Sequence, residues 1–456
     1  MRRTETRRPS ARRARRGARC LLGALVVLAE LSLAPRAGAA LVTDGEIRLR
    51  HEGIDGQFRS VARLSEQDAV TFLRTRVRVA SEARPVGFVL ELLDGRQFAA
   101  DRGSAVNAAA VNTLEVLQAQ LRLAFGAGET PTDVVRLGRF TLDLGSRRLV
   151  ARNRYRNTIN AFTGLDWEHR GEALRGRAFV AWPNRPRPLA LEDVLDNEIA
   201  VDEAGSGLAF QGLEVATDRA FGEVAATLLH LRDVRGEGRR DLWTAGLRLH
   251  RPAAPGGVGY ELELARQTGE RRLPDRPTSQ RHRAWFGHAS VGWRPGAVPT
   301  LLLRAALDAA SGDDDPADGR SGRFDTLFGA RRFEYGPTGL YGAIARANVV
   351  SPELRFDWTP RLRGGTTLRW RGAWRRVDLE SARDAWVPAG VADPSGAAGT
   401  HVGDQFETAL ALGWPERGLQ LELGAVRLEA GRFVRRASPA SGPPTTYGYA
   451  ELRWRW

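Results

Sequence analysis

The sequence predicts an all-β chain, a transmembrane antiparallel β-barrel of about 18 strands with long loops at one end and short turns at the other. Three observations carry this. Segments of roughly ten residues recur with strict period-two alternation, the length that a tilted membrane-crossing strand needs. Helical periodicity is hard to find once the N-terminal segment is passed. The connections alternate between short and long, which a β-sandwich has no reason to do.

Composition agrees. The chain has 456 residues, 50 of them glycine, and a mean hydropathy of −0.34, so it is no helical membrane protein. Every basic residue is arginine. Residues 1–40 hold ten of the 68 arginines, leaving 58 basic against 52 acidic residues beyond them, a net of +6 rather than +14. The headline charge thus comes partly from the leader, and nucleic acid is not expected as a partner. The leader itself is legible: MRRTETRRPSARRARRGAR is a basic n-region, CLLGALVVLAELSLA an apolar h-region interrupted by Glu30, and AGAA (37–40) a small-residue cleavage site. It reads as a cleaved secretory signal over 1–39, with the barrel as 40–456. Cys20 precedes the apolar run, so it is not placed as a lipid-bearing first residue, and as the one cysteine of the sequence it leaves the exported chain without a disulfide framework.

The strands place one face in an apolar environment and full charges on the other. In FLRTRVRV, Leu73, Thr75, Val77 and Val79 oppose Arg74, Arg76 and Arg78. LQAQLRL sets Leu117, Ala119, Leu121 and Leu123 against Gln118, Gln120 and Arg122. In LRGRAFVAW, Ala178, Val180 and Trp182 oppose Arg175, Arg177 and Phe179; in TTLRWRGAWR, Leu368, Trp370 and Trp374 oppose Arg369, Arg371 and Arg375. The last segment, YGYAELRWRW, sets Leu452, Trp454 and Trp456 against Glu451, Arg453 and Arg455. The expected strands run from 46–54 to 445–456 and include 113–125, the weak pair 207–216 and 223–232, and 343–358.

Links such as SEARP (81–85), HRGE (169–172) and WPERG (414–418) are short, whereas 95–112, 143–159, 183–206, 309–342 and 377–399 are long. That asymmetry is the periplasmic and extracellular pattern of an outer-membrane barrel. Trp285 and Trp293 lie on one face of one strand, roughly 26 Å apart, which suits one in each interfacial girdle. The final aromatic is the signal expected by the outer-membrane assembly machinery.

From residue 134 the stretch VVRLGRFTLDLGSRRLVARNRYRNTINAFTGLDWE resembles the signature hairpin of the alginate-export family of outer-membrane barrels. A second block, SGDDDPADGRSGRFDTLFGARRFEYG (311–336), is similar to that family's acidic loop and following phenylalanine-containing turn. The resemblance implies an 18-stranded monomeric barrel whose arginine-lined pore passes anionic, uronate-type polysaccharide or oligosaccharide. The best-known exporter of this type carries a long periplasmic plug loop. The even-to-odd links here are too short for one, which points to a more open, anion-selective porin.

Alternation and the family match together nominate pore-lining, substrate-binding arginines: Arg74, Arg76, Arg78, Arg175, Arg177, Arg363, Arg369, Arg371, Arg375, Arg453 and Arg455 on strands, with Arg152, Arg154 and Arg156 in the loop SRRLVARNRYRNT (146–158). A guanidinium is always charged and binds carboxylate through a planar fork. The competing reading pairs these arginines with lumen acids such as Glu91, Asp166, Glu168, Glu353, Asp357 and Glu451. The loop either folds inward as a constriction or stays outside to bind lipopolysaccharide phosphates; the first is favoured. Asp313, Asp314, Asp315 and Asp318 lack the spacing of a calcium loop, so no metal or cofactor is expected. His288 and Ser290 share a lumen face without an orienting acid beside them in sequence, and no enzyme activity is expected. The alternative to a channel is a closed structural or adhesive barrel whose loops bind surfaces or lipopolysaccharide.

Overall fold

Each strand alternates because one pleat face meets lipid and the other meets the barrel interior. The computed structural model describes residues 41–456 apart from 129, 237, 274–277, 316, 363 and 438–443, so the leader at 1–39 and Arg363 lie outside the described residues. The first six strands are β1 (Leu41–Asp55), β2 (Gln67–Ser81), β3 (Val86–Phe98), β4 (Asn112–Phe125), β5 (Asp133–Phe140) and β6 (Phe162–Arg170). Next come β7 (Arg175–Pro183), β8 (Leu208–Arg219), β9 (Gly222–Asp233), β10 (Arg239–Arg251), β11 (Val258–Arg272) and β12 (Gln280–Trp293). The wall continues with β13 (Leu301–Ala310), the two-residue β14 (Arg320–Ser321), β15 (Val349–Trp358), β16 (Thr367–Asp378), β17 (His401–Trp414), β18 (Leu419–Ala430) and β19 (Thr445–Arg455).

All consecutive long strands pair antiparallel, and β1 closes on β19 from Glu46–Arg455 to Asp55–Thr446. Eighteen strands therefore form a closed barrel without a free edge, which is what lipid demands of backbone hydrogen bonds. Trp456 sits in the closing seam: Gly45 donates its N–H to the Trp456 carbonyl at 3.1 Å, and a Cβ on Gly45 would stand 2.1 Å from the indole. Outside, exposed Trp182, Trp243 and Trp285 stand near the long-loop end, while Trp167, Trp293, Trp370, Trp454 and Trp456 stand near the short-turn end. These are the two aromatic girdles of a membrane band.

Three expectations are corrected. Leu117 does not face lipid: a register shift opposite Glu91/Leu92 turns it inward, where it packs with Leu93, Ile159 and Ala161. The segment 343–348 is not strand, because β15 begins at Val349 and Ala343, Ile344 and Arg346 are buried in the preceding connection. The lumen is also less open than short even-to-odd links suggested. Those links are short, but the long connections 141–161, 311–348 and 379–400 carry much of the buried core, including Phe324, Tyr335, Tyr341 and Trp386. The weak pair near 207–232 does form, as β8 and β9.

Candidate functional site: an arginine-rich lumen narrowed by inserted loops

On three strands the inward arginines grow more exposed toward the short-turn end. Side-chain exposure on β2 rises from 2% at Arg74 through 18% at Arg76 to 27% at Arg78. On β16 it rises from 1% at Arg375 to 22% at Arg371 and 52% at Arg369. On β19 it rises from 22% at Arg453 to 56% at Arg455. One half of the interior is thus a wet vestibule, and the other half is filled by loops.

The filling is held by the wall. Arg48 donates to the carbonyls of Tyr155 (2.8 Å) and Arg156 (3.1 Å), Arg74 to those of Arg154 (2.8 Å) and Arg156 (2.7 Å), and Arg50 to that of Tyr155 (2.7 Å). Asn157 donates to the carbonyls of Leu73, Arg96 and Ala110 at 3.2, 3.0 and 2.8 Å. The loop 146–158 therefore lies inside the barrel. Planar guanidinium forks suit this task because each spans adjacent carbonyls with several donors at once.

A second connection, 311–348, lies against the first. Ala151 donates its N–H to the Phe328 carbonyl and Phe328 its N–H to the Leu149 carbonyl, both at 3.1 Å. The one-turn helix Arg332–Tyr335 places Glu334 between Arg148 and Arg346, and Arg148 also reaches Glu261 (2.8 Å) and Glu263 (2.7 Å) on β11. Arg332 lies over the rings of Tyr155 (5.0 Å) and Tyr449 (5.8 Å). Gly339 turns where a Cβ would stand 2.0 Å from the Glu52 carboxylate, which accepts the Leu340 N–H at 2.8 Å.

The nominated arginines divide by partner. Arg74 and Arg375 depart from a solvent-lining role: both are almost fully covered, Arg74 as a loop clamp and Arg375 on Ser351 Oγ (2.9 Å), Asp308 (3.3 Å) and Glu353. Most others pair with lumen acids. Arg76 reaches Glu91, Arg78 Asp44 (2.8 Å), Arg175 Glu223 (2.6 Å) and Arg177 Asp166 (2.7 Å). Arg371 reaches Glu422 (3.0 Å) and Arg455 Glu46 (3.1 Å), while Arg369 pairs with Asp357 and Arg453 with Glu451. In the loop, Arg152 grips Glu91 at 2.6 Å and Arg154 stands 3.8 Å from Asp143. Arg156 is the exception among the described members, with no carboxylate within 4.0 Å.

Arg156 borders a cleft of about 330 Å³ with Arg59 and Arg331, two residues the alternation could not nominate because neither is on a strand. Neither of these has a carboxylate within 4.0 Å among the described residues; Arg59 donates to the Leu340 carbonyl (2.8 Å) and Arg331 to that of Ile344 (3.0 Å). Arg50 of β1 also lines the cleft and is paired with Glu52 at 2.6 Å; Asn107, Asn157, Thr338 and Tyr341 add polar groups, with Phe72 and Leu340 as apolar walls. Burial pushes the Arg59 guanidinium down to about 10 and lowers that of Arg156. It pushes Arg331 to about 9, helped by the like charges of Arg156, Arg346 and Arg59. A guanidinium stays charged in proteins, so the cleft gathers three cations with no carboxylate in contact among the described residues, Asp68 acting on Arg59 only at longer range. Arg331 lies within the second family-like block, which was the one sequence signal pointing to it.

His288 has the acid neighbours that the sequence hid: Asp308 at 2.9 Å from Nδ1 and Glu334 at 3.9 Å. These three carry ligand-type atoms within 4.8 Å of one another, but Arg375 pairs with Asp308 while Arg148 and Arg346 pair with Glu334, so those acids already have cations. In the acidic turn, Asp313 accepts no arginine pair and its N–H donates to Asp384 at 3.0 Å.

A closed antiparallel barrel with two aromatic girdles, an apolar exterior and a charged interior is a barrel of the bacterial outer membrane. Within that class, the family described as "Alginate export" matches residues 41–447, and the chain belongs to it. Among solved structures, Pseudomonas aeruginosa OccK9 (OpdG) is similar with 12% identity and a TM-score of 0.57, covering 91% of this chain and 98% of that one. OccK3 (OpdO) from the same organism is 14% identical, with a TM-score of 0.54 and coverage of 91% and 95%. OccK2 (OpdF), solved in complex with glucuronate, is 12% identical, with a TM-score of 0.56 and coverage of 92% and 98%. Comparison with curated proteins gives no match.

Proposed function

We propose that the protein is an anion-selective channel that passes uronate-type oligosaccharide or polysaccharide, with the Arg59, Arg156 and Arg331 cleft as its narrow anion site. The observation that carries this reading is that, among the described residues, no carboxylate lies within 4.0 Å of those three guanidiniums, in a lumen where most of the other nominated arginines are paired. Positive charge without a counter-ion at a narrow, partly desolvated place favours anions and repels cations. The paired rows on β2, β16 and β19 then act as a weaker approach along the vestibule, where partly exposed guanidiniums exchange one carboxylate for another. Glucuronate, seen bound to OccK2, is a rational first probe because it presents one carboxylate and a ring of hydroxyls.

The test is reversal potential in a planar bilayer across a KCl gradient, followed by uronate oligomers on one side. Anion selectivity and concentration-dependent block are expected in the wild type. The double substitution R156Q R331Q is expected to move the reversal potential toward zero and weaken block by roughly a hundredfold, at about 1.5 kcal/mol for each of two charge-assisted contacts. Unchanged selectivity in that variant removes the cleft from the path. No conductance from heat-modifiable, inserted protein moves the reading to a closed barrel.

A further inference from the structure

Arginines on the lipid-facing side of the wall are of two kinds. Arg376 on β16 bonds Asp378 at 2.6 Å, and Arg427 on β18 pairs with Glu429; each acid lies two residues along on the same face. Arg266 on β11 and Arg281 and Arg283 on β12 are exposed on that side and have no carboxylate within 4.0 Å among the described residues. Register puts Arg266 opposite Trp285, Thr268 opposite Arg283, and Glu270 opposite Arg281. Arg266 and Arg283 are therefore diagonal neighbours, about 7–8 Å apart at their backbones, with Thr268 directly opposite Arg283. The long guanidinium arms close that gap around a group of phosphate size.

Depth fixes the kind of partner. Trp285 marks the girdle at the long-loop end, so Arg266 stands at the membrane surface and Arg283 and Arg281 stand successively outside it. Arg320 of β14 pairs in register with Arg281 at the rim. Asp318 stands 3.8 Å from Arg320, so the unpaired cations among the described residues are Arg266, Arg281 and Arg283, with Glu270 opposite Arg281; at that level the outer leaflet presents anionic headgroups, to which these three are complementary. We infer that Arg266, Arg281 and Arg283 form a docking site for the phosphates of a phosphorylated glycolipid in the outer leaflet. Chains of such a lipid lie along the apolar strand face below, where Leu262, Leu264 and Val291 are exposed. The site is on the outer surface and is independent of what crosses the lumen.

The test uses the purified barrel in detergent and native mass spectrometry with bisphosphorylated lipid A and its dephosphorylated form. Retention of bisphosphorylated lipid A by the wild type is expected, with little retention of the dephosphorylated form. The variant R266Q R283Q is expected to lose roughly thirtyfold in occupancy, at about fivefold per cation removed at a membrane surface. R427Q, whose arginine is already paired, is expected to match the wild type, and heat-modifiable gel mobility verifies that both variants are folded. Equal retention of dephosphorylated lipid A, or undiminished binding by folded R266Q R283Q, overturns the inference.

Discussion

Replacing Glu334 with glutamine removes the one negative charge held between two buried guanidiniums. Glu334 is 4% exposed, Arg148 3% and Arg346 0%. Arg148 retains Glu261 and Glu263, but Arg346 is left with the Ala330 carbonyl at 2.7 Å, the Arg148 carbonyl at 3.4 Å and the rings of Tyr335, Phe333 and Phe286. Removing one member of a buried ion pair costs about 3–5 kcal/mol. The remaining carbonyl and ring contacts put this case near the low end, at about 3 kcal/mol, which is roughly a hundredfold in an equilibrium constant. Because the knot lies where 311–348 meets 141–161, the loss falls on loop docking rather than on barrel closure. Hydrogen exchange at Ala151 and Phe328, whose amides bridge the two connections, is expected to quicken about a hundredfold, while amides of β11 keep their protection. The same variant should show higher and noisier conductance in a planar bilayer. Protection unchanged at Ala151 and Phe328, or lost equally in the wall and the loops, would refute the assignment of this knot to docking.

Two further outcomes follow from the same geometry. Burial alone would raise the Glu334 carboxyl, but Arg148 and Arg346 outweigh it and hold the group well below the usual carboxylate range. A depressed acid contributes stability fully above its unfolded value of about 4.3, and that stability is lost only as pH falls through the lower folded value. Loop docking, followed by exchange or channel noise, should therefore be constant from pH 8 to pH 5 as far as Glu334 governs it. Gly339→Ala places a Cβ 2.0 Å from the Glu52 carboxylate at φ +23°, so about 1–3 kcal/mol of docking should be lost. Limited proteolysis of 311–348 is expected to speed up accordingly, and an unchanged rate would exclude strain at this turn.

Much of the architecture was legible because a barrel wall is a local code. Alternation in 72–79 placed Arg74, Arg76 and Arg78 inward, and the structure has that face. Short and long connections gave the polarity of the barrel, and Trp285 and Trp293 fall at its two girdles. Leu117 failed because one extra residue in a strand inverts the faces beyond it, and nothing in LQAQLRL marks the extra residue. The cleft was not legible. Its acid-free arginines lie at positions 59, 156 and 331, in three connections without periodicity, and only folding those loops into the lumen brings them together beside Arg50 of β1.

By itself, then, the sequence determined the barrel, its handedness of environment and the arginine-lined interior, since each follows from residues two apart on one strand. Which arginines are free to meet an anion was decided by tertiary structure alone. Arg74 and Arg156 look alike in sequence. Arg74 became a buried clamp, with Glu46 and two carbonyls, because β1 and the loop 146–158 converge on it. Arg156 was left without an acid because the same convergence directs its side chain toward Arg59 and Arg331. The charge on a guanidinium is fixed by its chemistry, but its counter-ion is fixed by contacts with other strands and loops, for Arg74 from 28 to 82 residues away.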